Sequence, residues 1–343
     1  MNSLSRNVLA LAVGATGGAT FYALGLPLPW MLGALFATMG AAVANAPVQA
    51  PSRARPVVVA VIGVLLGSHF TPDLVEKAAV WVDTMMILLA YTIVVALVVV
   101  PFYRFVGRQD WRTAYFSGMP GGLAEMIEIG TASGAKPAPI ILAHSLRIVM
   151  TIVMIAFWFR IVEGHSVGAM SPPAPVPLTM MDGAMLLGAA VVGSFLGIKL
   201  RFPAPTFLGP LLVSALVHLT GLTQSAPPAL LVSGAQVVLG TVLGCRFLGI
   251  GPRTLLPAAA LSLGATVMTL ALALLAGTMM QSVAGMRSDQ ALLALAPGGL
   301  TEMGLIALAV QADVAFVATH HVARILFVIV LAPLVFRVVL KRR

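Results

Sequence analysis

Apolar runs of about 18–25 residues succeed one another along this 343-residue chain, each long enough to cross a bilayer as a helix. Hydrocarbon cannot satisfy backbone N–H and C=O groups. A chain of this kind is therefore confined to helices, with irregular backbone only where it faces protein or water. The sequence is 59% hydrophobic and 9% charged, with mean hydropathy +1.02, which excludes an ordinary soluble domain. The longest polar stretch, near 160–180, is Pro-rich and reads as a connector, so the expected product is one polytopic membrane unit without a soluble appendage.

The net charge of +9 would raise the question of nucleic acid in a soluble protein. Here Lys and Arg in short loops set membrane orientation, and Lys341, Arg342 and Arg343 read as an inside anchor. The lipid bilayer is the expected partner, with no direct nucleic-acid binding; a homo-oligomer is left open. The apolar run at 8–25 resembles a secretory signal in isolation, but its counterpart at 179–198 lies where no signal can be. Cys245 is the one cysteine, so no intrachain disulfide can form.

One motif occurs twice. PGGLAEM at 120–126 returns as PGGLTEM at 297–303, an offset of 177 residues. Glu125, His144 and Arg147 are matched at that offset by Glu302, His321 and Arg324. Gly67 and Phe70 match Gly244 and Phe247, and Arg160 matches Arg337. Pro27, Pro29 and Gly33 match Pro203, Pro205 and Gly209 at 176. The chain therefore reads as an all-α polytopic membrane protein of two homologous halves, 1–165 and 179–343, joined by a connector at 166–178.

Each half shows six apolar segments: near 8–25, 29–45, 56–70, 79–103, 111–131 and 137–160, then 179–198, 204–221, 229–246, 255–281, 290–310 and 314–337. The fifth of each carries Pro-Gly-Gly at its middle, which predicts a re-entrant hairpin or broken helix. With twelve crossings and the N-terminus inside, Lys and Arg, apart from Arg147 and Arg324, divide twelve inside to six outside. With the fifth segments re-entrant they divide fifteen to three, which the positive-inside rule favours. Each half then has about five transmembrane helices plus the interrupted element. The second half is inverted, both termini are cytoplasmic, and the site falls near the midplane, as in secondary transporters.

The candidate site follows. Gly121, Gly122, Gly298 and Gly299 would open backbone whose N–H groups, at a half-helix N-terminus, hold an anion or a substrate carboxylate; the plain alternative is a kink. Glu125 and Glu302 fall in the first turn of the second arm, as dipole partners or as a proton or cation site; at mid-membrane each costs about 2.5–3.5 kcal/mol. Glu128 shares a face with Glu125, but its counterpart is Leu305. Arg147 and Arg324 lie too deep to snorkel, with His144 and His321 one turn earlier. Either each Arg pairs with a Glu and locks the hairpin, or it neutralises an anionic substrate while Glu or His exchanges a proton. His320 is given no role. The Pro-x-Pro…Gly blocks read as helix entries setting a close crossing; Asn45, Gln236 and Asp182 as polar glue. His69 and Arg246 need only interfacial placement.

Two halves, each with PGGLxEM and then HxxR, resemble the bacterial membrane AbrB-type family over essentially the whole chain. That resemblance implies a bacterial inner-membrane protein with a regulatory label and a transport role; some members carry an ammonia monooxygenase label. The residues do not supply an oxygenase: no two-His-one-carboxylate spacing and no dinucleotide turn are present. They offer no DNA reader either. The expectation is a secondary transporter, proton- or ion-coupled, for a small anionic or zwitterionic solute, without cofactor or catalytic residues. The alternative is a membrane sensor acting on gene expression through a partner.

Overall fold

A computed structural model describes residues 2–70, 81–164 and 178–336. Arg337, the basic C-terminal residues and nearly all of the 166–178 connector lie outside them. Among the described residues every regular element is helical. The first half gives α1 (Ser3–Ala23), α2 (Pro29–Val43), α3 (Arg55–Gly67), α4 (Trp81–Phe105), α5 (Trp111–Gly118), α6 (Leu123–Ala132) and α7 (Pro137–Ile161). The second gives α8 (Met180–Lys199), α9 (Pro205–Leu219), α10 (Ala229–Gly244), α11 (Pro252–Ala284), α12 (Ser288–Leu295), α13 (Leu300–Ala309) and α14 (Val314–Val335). A short 3₁₀ turn, Cys245–Phe247, extends α10.

Among the described residues six helices are long and apolar enough to cross a membrane: α4, α7, α8, α10 with its 3₁₀ turn, α11 and α14. This makes the protein multi-pass. The structure shortens the sequence expectation elsewhere. Helices α2 and α9 have 15 residues and α3 has 13, so at 1.5 Å per residue each falls short of the roughly 30 Å hydrocarbon core. The starts of α2 and α9 fall where the sequence places them and are set locally. Their N-caps, Leu28 and Ala204, each stand between two prolines in the left-handed region, at φ 45° and 48°. Proline then opens the helix, where its missing N–H costs nothing. Ala204 is exposed, so Ala204→Gly relieves the left-handed strain without losing packing. We expect it to stabilise the protein by about 0.5–1 kcal/mol, read as a higher unfolding temperature in detergent.

Polar caps fix other helix starts. Asn2 accepts from Ser5 N at 2.8 Å and Asp110 from Thr113 N at 2.9 Å. Thr179 and Asp182 form a capping box on α8. Asp182 also accepts from Thr223 Oγ1 at 2.6 Å, tying α8 to the segment after α9 as the polar link expected of it.

The described residues pack as two compact units, and each takes helices from both halves of the chain. The first holds α1–α3 and α8–α10, with α7 from Ala156, α13 from Gly304 and α14 through Ala315. The second holds α4–α6, α7 through Ile155, α11 from Arg253, α12, the start of α13 through Met303 and α14 from Phe316.

In the first unit, α1 packs on α2 and α8 on α9. Both crossings are backbone on backbone: a Cβ on Gly33 would run into Gly17 O, and one on Gly209 into Gly193 O. Pro-x-Pro…Gly therefore sets a close crossing, as expected. The same unit joins the two halves reciprocally. Gly63 and Gly67 of α3 lie against the Phe207 and Leu211 carbonyls of α9, and Gly240 and Gly244 of α10 lie against the Met31 and Leu35 carbonyls of α2.

In the second unit, Tyr91 on α4 donates to Thr269 O on α11 at 3.3 Å. Gly118 of α5 seats on Val100 of α4. A buried apolar cluster with Tyr115, Phe116, Met126, Ile140, Val328 and Phe336 surrounds the first interrupted segment. Tyr115 donates to Ala332 O at 2.8 Å, fastening that segment to α14.

Candidate functional site

Each fifth segment is two short helices flanking a four-residue break. Helix α5 has 8 residues and α6 has 10, with Met119–Gly122 between them; α12 and α13 have 8 and 10, with Ala296–Gly299 between them. Extended backbone starts each break, ψ 134° at Met119 and 137° at Ala296. Proline follows, and a glycine with extended ψ caps α6. Neither break needs a positive φ at its glycines.

A helix that stops inside a bundle leaves carbonyls without partners, and the arginines meet this need. Arg147 lies within α7 and Arg324 within α14, exposed by only 7% and 4%. Arg147 donates to Met119 O at 3.0 Å and Gly121 O at 3.2 Å. Arg324 donates to Ala296 O, to Leu295 O at 3.3 Å and to Gly298 O at 3.2 Å. Each guanidinium thus spans a break from the end of one arm toward the start of the next.

The histidines complete the bracket. His144 Nε2 lies 2.8 Å from Phe116 O, and His321 Nε2 lies 2.8 Å from Leu293 O. Their Nδ1 atoms lie 3.0 Å from Arg147 Nη2 and 2.9 Å from Arg324 Nη2. A guanidinium only donates and a carbonyl only accepts. Nδ1 must therefore accept while Nε2 carries the hydrogen, which fixes both rings as the neutral Nε2–H tautomer. A second proton on Nδ1 would face an Arg donor, so this geometry suits orienting the arginine better than relaying a proton.

The carboxylates are elsewhere. Glu125 and Glu302 are partly buried in the first turns of α6 and α13 and fold back over the breaks. A Cβ on Gly122 would meet Glu125 Oε2, and one on Gly299 would meet Glu302 Oε2. Thr301 Oγ1 also donates to Glu302 Oε2 at 2.7 Å; the residue before Glu125 is Ala124, which has no such hydroxyl. Neither Glu reaches its Arg: among the described residues the Glu–Arg pair read as a lock does not form, and break carbonyls take its place. Exposed Glu128 stands apart from this arrangement. We expect Gly122→Ala and Gly299→Ala to fold with less than about 1 kcal/mol change, because each methyl meets only a flexible side-chain tip. Thermal unfolding of the two variants in detergent checks this.

Two tyrosines on α4 belong to this region and were not picked out by motif. Both are buried; Tyr91 donates to Thr269 O, and Tyr103 lies beside Ser262 and within electrostatic reach of Arg147. The Nε atoms of Arg147 and Arg324 are buried without a hydrogen-bond partner among the described residues. Tyrosine is scarce here, four in the chain, but neither of these two recurs: Met268 and Met280 stand at the matching positions. His320, left without a role above, is buried between Phe316 O and Thr84 Oγ1, at 2.8 and 2.9 Å, and beside Trp81. Among the described residues no three His, Cys, Asp or Glu side chains gather as a metal-ligand set.

Residues 30–340 match the family model described as AbrB, transition state regulatory protein AbrB. A Bacillus subtilis (strain 168) protein named "Uncharacterized protein YhjN" is 26% identical, over 98% of this chain and 93% of its own length. An Escherichia coli (strain K12) protein named "Putative regulator AbrB" is 26% identical, over 92% of this chain and 91% of its own length.

Proposed function

From the premise that this chain belongs to the AbrB family, we propose that it is a secondary transporter, proton- or ion-coupled, for a small anionic or zwitterionic solute. One observation carries the reading. A multi-pass bundle holds two broken helices, each crossed by a buried arginine with no carboxylate partner among the described residues. Interrupted helices in paired positions suit a substrate site near the midplane. A buried charge left without a counter-charge is costly, and a solute anion is a natural complement.

In this proposal Arg147 and Arg324 balance substrate charge, and His144 and His321 hold them in register. Gly121, Gly122, Gly298 and Gly299 let the carboxylates and the solute approach the backbone. Glu125 and Glu302 carry the coupling protons or hold a coupling cation. The halves are inverted repeats, supported by the charge distribution and by the reciprocal seating of α3 on α9 and α10 on α2. The protein sits in the bacterial inner membrane with both termini cytoplasmic, and the proposal assigns it no enzymatic step.

The regulator name of the Escherichia coli relative fits an indirect effect on expression, through the solute moved or through a partner protein. Reconstituted vesicles with an entrapped pH dye test the main reading against a panel of anionic and zwitterionic solutes. A solute that drives proton movement in the wild type, and not in Glu125→Gln/Glu302→Gln, is the expected result. Folded protein that moves neither proton nor charge with any solute would sink the transporter and leave the partner-dependent sensor.

A further inference from the structure

We propose that the first compact unit binds an anionic phospholipid, its headgroup phosphate held in a recess beside Arg6; the proposal is independent of the solute moved. The recess has a volume of about 470 Å³, and Arg6, Asn45, Val48, Gln49 and Leu248 are among its lining. Small-molecule sites commonly have this size. Three distant stretches build it: the first turn of α1, the loop after α2 and the residue that follows the 3₁₀ turn of α10. Local geometry fixes their approach. Helix α2 ends in a Schellman turn, with Ala46 N donating to Ala41 O at 2.9 Å, Asn45 N to Ala42 O at 3.1 Å, and Asn45 at φ 58°. The chain then returns to α1, where Gln49 N donates to Arg6 O at 3.3 Å. Val48 belongs to a buried apolar cluster with Ala10, Ala42 and Cys245, so one wall is apolar while the rim is polar.

The donors select the ligand class. Arg6, Asn45 and Gln49 are exposed, and their side chains hold no hydrogen bond or ion pair among the described residues. Asn45, expected as glue between helices, is instead an open amide on this rim. Arg6 stands in the first turn of α1, where the helix dipole itself favours negative charge. No acid in the surrounding sequence answers it: residues 1–72 hold Arg6, Arg53 and Arg55 and no Asp or Glu. An anion is the complement. Its depth follows from Leu248, which comes directly after the apolar span Ala229–Phe247, at the level where a crossing helix leaves hydrocarbon for headgroups. The side follows from charge. Arg246 counts on the cytoplasmic side with Arg6 and Arg53 only when the fifth segments are re-entrant, and the recess gathers those stretches at one end. That side faces the anionic leaflet. A phospholipid offers a phosphate to Arg6 and the amides, and an apolar body to Val48 and exposed Leu248; a soluble phosphate offers only the first.

The test melts full-length protein in detergent at about 0.15 M salt, where the Debye length is about 8 Å. Phosphatidylglycerol, phosphatidylcholine or inorganic phosphate is added in rising amounts. Expected is saturable stabilisation by phosphatidylglycerol, at a midpoint about fivefold or more below that of phosphatidylcholine. Arg6→Gln should raise that midpoint about fivefold. Arg53→Gln removes the same charge from the neighbouring loop without touching the recess, and should move it less than about twofold. Gln49→Glu is an exposed near-isostere that sets a carboxylate in the recess. It should abolish the preference for phosphatidylglycerol, and it keeps the test decisive if Arg6→Gln does not fold. Phosphatidylcholine matching phosphatidylglycerol, equal losses in Arg6→Gln and Arg53→Gln, or a Gln49→Glu midpoint equal to wild type would each overturn the recess as a lipid site. Inorganic phosphate reproducing the stabilisation at the same concentration would make the ligand a soluble anion and overturn the lipid, as would silence from all three additives in well-folded protein.

Discussion

Arg324→Ala is expected to cost about 3–5 kcal/mol, enough to leave little folded protein in detergent. The reason lies in what the guanidinium does for the break. Arg324 donates to three carbonyls, Leu295, Ala296 and Gly298, and to His321 Nδ1. Removal leaves those acceptors buried and unpaired, each worth about 1–3 kcal/mol. His321 also loses the group that fixes its tautomer. Arg147→Ala should do less harm, since Arg147 donates to two carbonyls, Met119 and Gly121, and to His144. Thermal unfolding of the two variants side by side checks both size and order. Equal or reversed losses would mean that the carbonyl bracket does not govern the stability of the breaks. Lysine cannot span several acceptors with a planar fork, so Arg324→Lys should recover only part of the loss.

Gly209→Val is the second large effect, on the order of 3–5 kcal/mol. The new side chain would strike Gly193 O and the adjoining backbone, and backbone cannot rotate aside as a side-chain tip can. Helices α8 and α9 would have to separate along their crossing. Gly33→Val should do the same to α1 and α2 through Gly17 O. The control is glycine of the same helices with open surroundings. Gly40 of α2 and Gly188 of α8 have nothing within 4 Å of a built Cβ, and alanine there should stabilise by up to about 1 kcal/mol through helix propensity. Unfolding temperatures of the four variants decide it; a tolerated Gly209→Val would refute the close crossing.

The interrupted segments were legible because Pro-Gly-Gly in an apolar run has few solutions: the structure breaks both segments within the motif, with arms of 8 and 10 residues. The helix entry after Pro27 and Pro203 was legible for a similar reason, since proline fixes φ and lacks an N–H. The partner of each arginine was not. Glu125 and Arg147 recur as a set, which invites an ion pair, but sequence spacing cannot say that the carboxylate folds over its own helix start. Nor can it say that the break carbonyls, left without donors, claim the guanidinium first. Tyr91 and Tyr103 were missed because they lie on a separate helix, α4, and occur once, so repetition gave no signal.

The amino-acid sequence by itself determined the class of structure, the order of its helices and the places where they break. Those follow from hydropathy, proline and glycine, which act over a few neighbouring residues. Only the tertiary structure decided that each compact unit draws on both halves of the chain, and that histidine and carbonyl oxygen hold the buried arginines. Such matters depend on which distant backbone and side-chain atoms meet, and on the need of every buried polar group for a partner once water is gone.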